Sequence, residues 1–272
     1  MEPSPRLPGL ALAGQLGAAL GVAANEGGFE AAWRRAWVLT AMGRYGEAWT
    51  ALDVASAGPP PVAAAACVTR GSLLRQVGLP GQAEEADREA LRRLDGRAGE
   101  GRTGCTISLV ADAVARGACP AEQRARLQAA VEACAEAPSP RQAIRLAWVT
   151  GEVALHEGDP VHAATFFQQA RRRAVDGGLR RHEARSLLLL ASANAAVGHG
   201  ARARDQAHEA LAIADRCGAR PLCWLAHRLL SEADGGPAPA RAAAEAAALR
   251  EGLLASLPGE LATVAPGPSR GA

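Results

Sequence analysis

Apolar residues recur along this chain at helical spacing, seen most plainly at Leu187, Leu190 and Ala191. Gly and Pro interrupt the helical stretches at short intervals, and no run alternates as a half-buried strand does. The stretches LLRQVGLPGQAEEADREAL, HEGDPVHAATFFQQA and AAVGHGARARDQAHEAL align with one another. Each carries the end of a helix, a glycine turn, and then an alanine at a fixed offset.

The alignment extends to a period of 40 residues. Small residues stand at Gly71, Ala111, Gly151, Ala191 and Ser231, and turn positions at Gly78, Ala118, Gly158 and Gly198. Two residues further on come Pro80, Pro120 and Pro160, then Gly200; second-helix alanines fall at Ala90, Ala130, Ala170 and Ala210. A repeated helix hairpin accounts for these columns. Glycine ends the first helix, where a left-handed residue costs it little, and proline opens the second, where no N–H is needed. A small residue in mid-helix lets the partner helix approach. One hairpin cannot bury both of its faces, so the prediction is an all-α solenoid of stacked hairpins with no strand.

The unit resembles the tetratricopeptide repeat. Over 29–56, Ala36 is the small residue, Gly43-Arg44-Tyr45 the turn, and Ala48, Leu52 and Ala55 the second-helix positions. The fourth unit offers Gly151, Gly158, Ala163, Phe167 and Ala170, and the fifth Ala191, Gly198, Ala203, Ala207 and Ala210. The third, 104–136, has Ala118 for glycine, and the sixth keeps little beyond Ser231 and a turn at Gly235-Gly236. The period is similar to the extended repeats in sensor regions of large bacterial transcription activators of the maltose-activator type, and in bacterial peptide-pheromone receptors. The resemblance implies a right-handed superhelical solenoid of about six antiparallel hairpins over 29–257. A segment with a packing helix, 1–28, would precede it, and a disordered tail, 258–272, would follow. The sixth hairpin would either cap the array or pair with another chain.

The resemblance also implies a non-enzymatic protein- or peptide-binding scaffold or regulatory module that uses its concave groove. Carried over column by column, the groove candidates are Trp33, Trp37, Arg75, Asp112, Arg116, Arg145, Trp148, Glu152, His156 and Arg185. Trp and Arg are the usual anchors of recognition surfaces. Trp33 and Trp37, one turn apart, either face the groove or pack on a helix over 9–24.

Composition narrows the chemistry. The 30 basic and 28 acidic residues nearly balance, so net charge gives no reason to expect nucleic acid or an anionic membrane. Lysine is absent, which removes Schiff-base lysines, the Walker-loop lysine and the Ser-x-x-Lys arrangement together. High Ala, Gly and Arg suggests a GC-rich bacterial genome. Six cysteines without a close pair read as reduced thiols in the cytoplasm. Residues 8–24 are uncharged and read either as a packing helix or as a secretory signal.

The apparent motifs dissolve on inspection, and neither catalytic residues, metal nor cofactor is expected. His156, Glu157 and His162 have the wrong spacing for a zinc protease. Cys217, Cys223 and His227 fit no common zinc pattern. Gly99, Gly101 and Gly104 follow a helix rather than a strand. A basic run from Arg171 to Arg185 offers the alternative of nucleic-acid or phosphate binding, against the simpler reading of cations at a helix C-terminus.

Overall fold

The computed structural model describes residues 6–232 and 237–265. The expected turn at Gly235-Gly236, residues 1–5 and residues 266–272 lie outside the described residues. Among those described, the chain forms fifteen helices and no strand. Two short helices, α1 (Arg6–Leu12) and α2 (Leu16–Ala24), precede six hairpins. The hairpins are α3 (Phe29–Met42) with α4 (Tyr45–Ser56), α5 (Pro60–Gln76) with α6 (Pro80–Leu94), and α7 (Glu100–Ala115) with α8 (Pro120–Glu136). They continue as α9 (Pro140–His156) with α10 (Pro160–Asp176), α11 (Arg180–Ala196) with α12 (Gly200–Cys217), and α13 (Arg220–Ser231) with α14 (Pro237–Ala255). A final turn of helix, α15, spans Gly259–Ala262.

The 40-residue columns are the helix starts themselves: the second helices open at Pro80, Pro120, Pro160 and Gly200. At the turn of the fourth hairpin Gly158 adopts φ 81°, and the Asp159 carboxylate accepts a 2.9 Å bond from the His162 N–H to cap α10. In the third hairpin the left-handed residue is Gly117 (φ 67°), not the Ala118 of the expected column. Helix α7 ends one residue earlier in its unit than α9 does, so its turn is displaced by one.

The small-residue column sets how closely the paired helices approach. At Gly151 an added Cβ would overlap the Phe167 ring of α10, which is fully buried there. At Gly71 it would stand 2.6 Å from Asp87 Oδ2 of α6. The same column thus admits an aromatic ring in one hairpin and a carboxylate in another.

The array closes on itself. Leu253, Leu257 and Leu261 from the chain's end pack with Trp224 against Leu39, Tyr45 and Ala48 of the first hairpin and Leu73 and Leu74 of the second. The Ser256 hydroxyl accepts the Tyr45 N–H (3.2 Å) and stands at 3.2 Å from the Gly43 carbonyl. Pro221 lies against Gly43, and a Cβ at Gly46 would sit 2.5 Å from the Ser256 carbonyl oxygen. The sixth hairpin therefore packs on the first. The aperiodic segment expected from 258 is helical and packed at its start, since α15 covers 259–262 and Leu261 is buried.

The single packing helix expected over 9–24 is two helices, broken at Gly14 (φ 82°), where a side chain would collide with Cys217. Ala11, Leu16, Ala19 and Ala23 bury against α3, α11 and α13, so the N-terminal segment spans the seam between early and late hairpins. No described helix is long and apolar enough to cross a membrane.

Two outcomes follow from this packing. Gly151→Val should cost about 1–3 kcal/mol in urea unfolding, because the Phe167 ring has no space to retreat into. Leu253→Ala should cost about 2–5 kcal/mol, as a fully enclosed core leucine does, although its contacts lie some two hundred residues away in sequence.

Candidate functional site

The inner helices α3, α5, α7, α9 and α11 all contribute to one cavity of about 150 Å³ at the centre of the closed array. Six of the ten residues expected in the groove line it: Trp37, Arg75, Arg145, Trp148, Glu152 and Arg185. A second chamber of about 370 Å³ adjoins it and shares Trp37, Val68, Thr69, Arg141 and Arg145 as a common wall. Trp33 lines this second chamber, opposite Leu12 of α1, and its indole N–H donates to the Thr69 hydroxyl at 3.1 Å. Both expectations for the tryptophan pair therefore meet in one place, because the N-terminal helix forms part of the chamber wall.

The other three candidates are placed elsewhere. Asp112 is fully buried behind the cavity, bonded to Arg75. Arg116 pairs with Glu84 and Glu122 near the end of its hairpin, away from both chambers. His156 is exposed at the end of α9, with Nδ1 3.2 Å from the Gln123 amide. The last two sit one helical turn or more past the cavity, where the inner face gives way to the turns.

Sequence reasoning passed over Arg141 and placed Arg181 and His182 in the basic run rather than in the groove; all three line the cavity. A signal for the two arginines was present. Arg141 and Arg145 recur 40 residues later as Arg181 and Arg185, an i, i+4 pair repeated on the inner helix of successive units. His182 stacks on Trp148 with ring centres 5.3 Å apart, and the Trp148 indole N–H donates to the Ser186 hydroxyl at 2.8 Å. Trp148 is thus both a core residue, only 7% exposed, and part of the wall.

Charge in this cavity is unevenly matched. Arg185 reaches Glu152 at 3.3 Å and lies over the Trp148 ring. Arg145 donates only to neutral acceptors, Gln142 Oε1 and the Ser108 hydroxyl, both at 2.9 Å. Arg141 lies over Trp37, and neither it nor Arg181 forms an ion pair among the described residues. The Nε atoms of Arg141, Arg181 and Arg185 and the Nδ1 of His182 are buried without a hydrogen-bond partner among the described residues.

Burial and the neighbouring Arg141 and Arg75 push the Arg145 guanidinium down to about 9; burial, Arg185 and Arg141 push Arg181 down to about 10. Both remain charged at neutral pH. Burial, and then the four surrounding arginines, hold His182 well below its ordinary value, so its imidazole is neutral.

Arg75 is the exception, gripped by two fully buried carboxylates, Asp87 (2.7 Å) and Asp112 (2.5 Å). Burial pushes Asp87 up to about 8, with Arg75 opposing and Asp112 reinforcing the rise. One guanidinium cannot neutralise two carboxylates, so one carboxyl of the pair holds a proton at neutral pH.

The run from Arg171 to Arg185 does not form one face. Arg171 pairs with Glu209 on the outside, Arg173 reaches the Ala143 carbonyl and Arg180 pairs with Glu183, whereas Arg181 and Arg185 line the cavity. Cys217 and Cys223 are buried, and among the described residues no three His, Cys, Asp or Glu side chains gather as a metal site.

A pH dependence follows from Asp87. Its folded pKa lies above the unfolded value, so the stability it contributes is complete below about pH 4 and is lost as pH rises through its folded value. Thermal unfolding should show the wild type losing several degrees between about pH 4 and pH 8, and Asp87→Asn staying more nearly flat over that window.

No family model matches the chain, and no curated protein matches it in sequence. Among solved structures it is similar to a Rap protein complexed with competence and sporulation factor, with a TM-score of 0.67 at 11% identity, over 92% of this chain and 73% of that one. A Signal Transduction ATPase with Numerous Domains protein from Pyrococcus horikoshii, which has a tetratricopeptide repeat sensor, gives 0.48 at 13% identity, over 89% of this chain and 40% of that one. The apo form of RapI gives 0.46 at 9% identity, over 91% of this chain and 75% of that one. At 11% identity the likeness to the first of these speaks of fold alone, and with the hairpins above it makes this chain an all-α solenoid of stacked antiparallel helix hairpins.

Proposed function

We propose that this protein is a binding module, not a catalyst, and that a peptide or a segment of a partner protein enters the interior of the closed solenoid. The observation that carries the reading is the junction of two unlike chambers on one shared wall. Trp33 and Leu12 line only the first, Arg181 and Arg185 only the second, and Trp37, Arg141 and Arg145 stand on the wall between them. A ligand matching this pair offers an apolar side chain to the first and an anionic group to the second. Burial of the apolar group supplies affinity, and charge-assisted bonds from the planar guanidinium forks fix orientation.

The Rap protein of similar fold was solved in complex with competence and sporulation factor, which supports a binding role for this architecture. The nucleic-acid alternative has less to rest on. Its basic run is divided between the outside and the interior.

The test is selection of short linear peptides from a displayed library against the full chain, with the double variant Arg145→Ala, Trp148→Ala as counter-selection. Sequences combining an apolar residue with an acidic or modified anionic group should enrich on the wild type. They should bind the folded variant at least about tenfold more weakly, a loss of about 1.4 kcal/mol. Enrichment of unrelated sequences, or equal binding to both proteins, contradicts the reading.

A further inference from the structure

The four inner arginines raise a narrower question: what kind of anion suits them. They form two i, i+4 pairs, Arg141 with Arg145 on α9 and Arg181 with Arg185 on α11. These helices are adjacent along the inner face, so two guanidiniums approach the same cavity from each of two directions. Four positive charges meet one lining carboxylate, Glu152, which stands beside Arg185. Arg141, Arg145 and Arg181 form no ion pair among the described residues; Glu100 of the adjoining chamber acts on Arg141 without bonding it. Arg75 adds nothing to the excess, since Asp87 and Asp112 neutralise it from behind.

Partly buried cations without counter-charge are costly, and the cost falls as an anion enters. A single carboxylate would pair with only one of these three guanidiniums. A carboxylate also presents its two oxygens in one plane, suited to one guanidinium fork. A tetrahedral oxyanion presents oxygens in several directions and so can be met from both helices at once. Neutral polar groups complete the wall. The Ser108 hydroxyl bonds Arg145, and His182, 4% exposed and neutral, carries an Nδ1 with no partner among the described residues.

We infer that the Arg141, Arg145 and Arg181 corner of the cavity is a binding site for a doubly charged tetrahedral oxyanion of the phosphate-monoester class. The adjoining chamber lined by Trp33, Trp37 and Leu12 takes the apolar group that carries it. The inference rests on the reading of the interior as the binding site and specifies the anion. Two sources share this chemistry: a phosphorylated side chain of a peptide, and a small phosphorylated molecule.

The experiment uses the full chain, with thermal unfolding and tryptophan fluorescence as readouts, and probes at matched ionic strength. The probes are inorganic phosphate, sulfate, phenyl phosphate, acetate and benzoate, with chloride as reference. Phosphate and sulfate should raise the melting temperature above the chloride value, since a ligand of the folded state stabilises it. Phenyl phosphate should do so at concentrations at least about tenfold lower, because its ring enters the tryptophan chamber.

Arg181→Gln removes a guanidinium that forms no ion pair among the described residues, so the variant should fold as well as the wild type in chloride. It should lose most of the phosphate response, whereas Arg173→Gln on the outer helix should keep it. Paired peptides with serine or phosphoserine beside an apolar residue then separate the sources. Preference for the phosphopeptide over phenyl phosphate assigns the site to a modified segment, and the reverse assigns it to a small molecule.

No shift with phosphate or sulfate beyond chloride overturns the inference, as does benzoate binding as tightly as phenyl phosphate. If library-selected carboxylate peptides still bind in either case, the interior remains the binding site and only the assignment of the anion fails. If Arg181→Gln responds like the wild type, the anion binds elsewhere and the inference is likewise overturned.

Discussion

The contact between the end of the chain and its first hairpin governs the rest of this molecule. An open stack of hairpins has a concave face washed by solvent, where exposed arginines are screened and interact weakly. Here Leu253, Leu257 and Leu261 seat against Leu39, Tyr45 and Ala48, and the stack shuts. Its inner face then becomes the wall of a central, partly open cavity. Closure also makes the N-terminal helices part of the structure's interior, since α1 supplies Leu12 to the tryptophan chamber while Ala11 and Leu16 anchor the segment across the seam.

Enclosure changes the meaning of the charges inside. Arg75 and its two aspartates show how the fold neutralises a buried cation when the task is structural: both carboxylates are fully buried and bonded, and one carries a proton. The α9 and α11 arginines are treated differently. They rest on aromatic rings and neutral acceptors, with Glu152 as the one carboxylate among them. Two buried arginine environments thus stand in one protein, one held between two carboxylates and one whose only ion pair among the described residues is Arg185 with Glu152.

The architecture was legible because its determinants are local. Gly158 and Pro160 state where one helix ends and the next begins, and their recurrence every 40 residues carries the hairpin through the chain. Gly151 was legible as a close approach, although that it admits Phe167 could only be seen in the fold. Closure was not legible. Leu253 and Ser256 lie in an alanine-rich stretch where the repeat signature has faded, and their partners are about two hundred residues away. The site was half legible. Family columns found Arg145, Trp148 and Glu152, but at Asp112 they could not tell a side chain facing the cavity from one bonded behind it. The recurrence of Arg141 and Arg145 as Arg181 and Arg185 was in the sequence, yet it lay outside the small-residue columns that define the repeat.

The central claim, that the solenoid is shut by its own last hairpin, is tested most directly by hydrogen exchange at one amide. Tyr45 is the first residue of α4, a position whose N–H has no acceptor within its own helix and ordinarily exchanges freely. Its partner is the Ser256 hydroxyl, reached only across the closure. Nuclear magnetic resonance of the full chain should find the Tyr45 amide protected to a degree comparable with interior amides of α4. Exchange at the rate of the other first-turn amides of the inner and outer helices would contradict closure, and with it the central cavity.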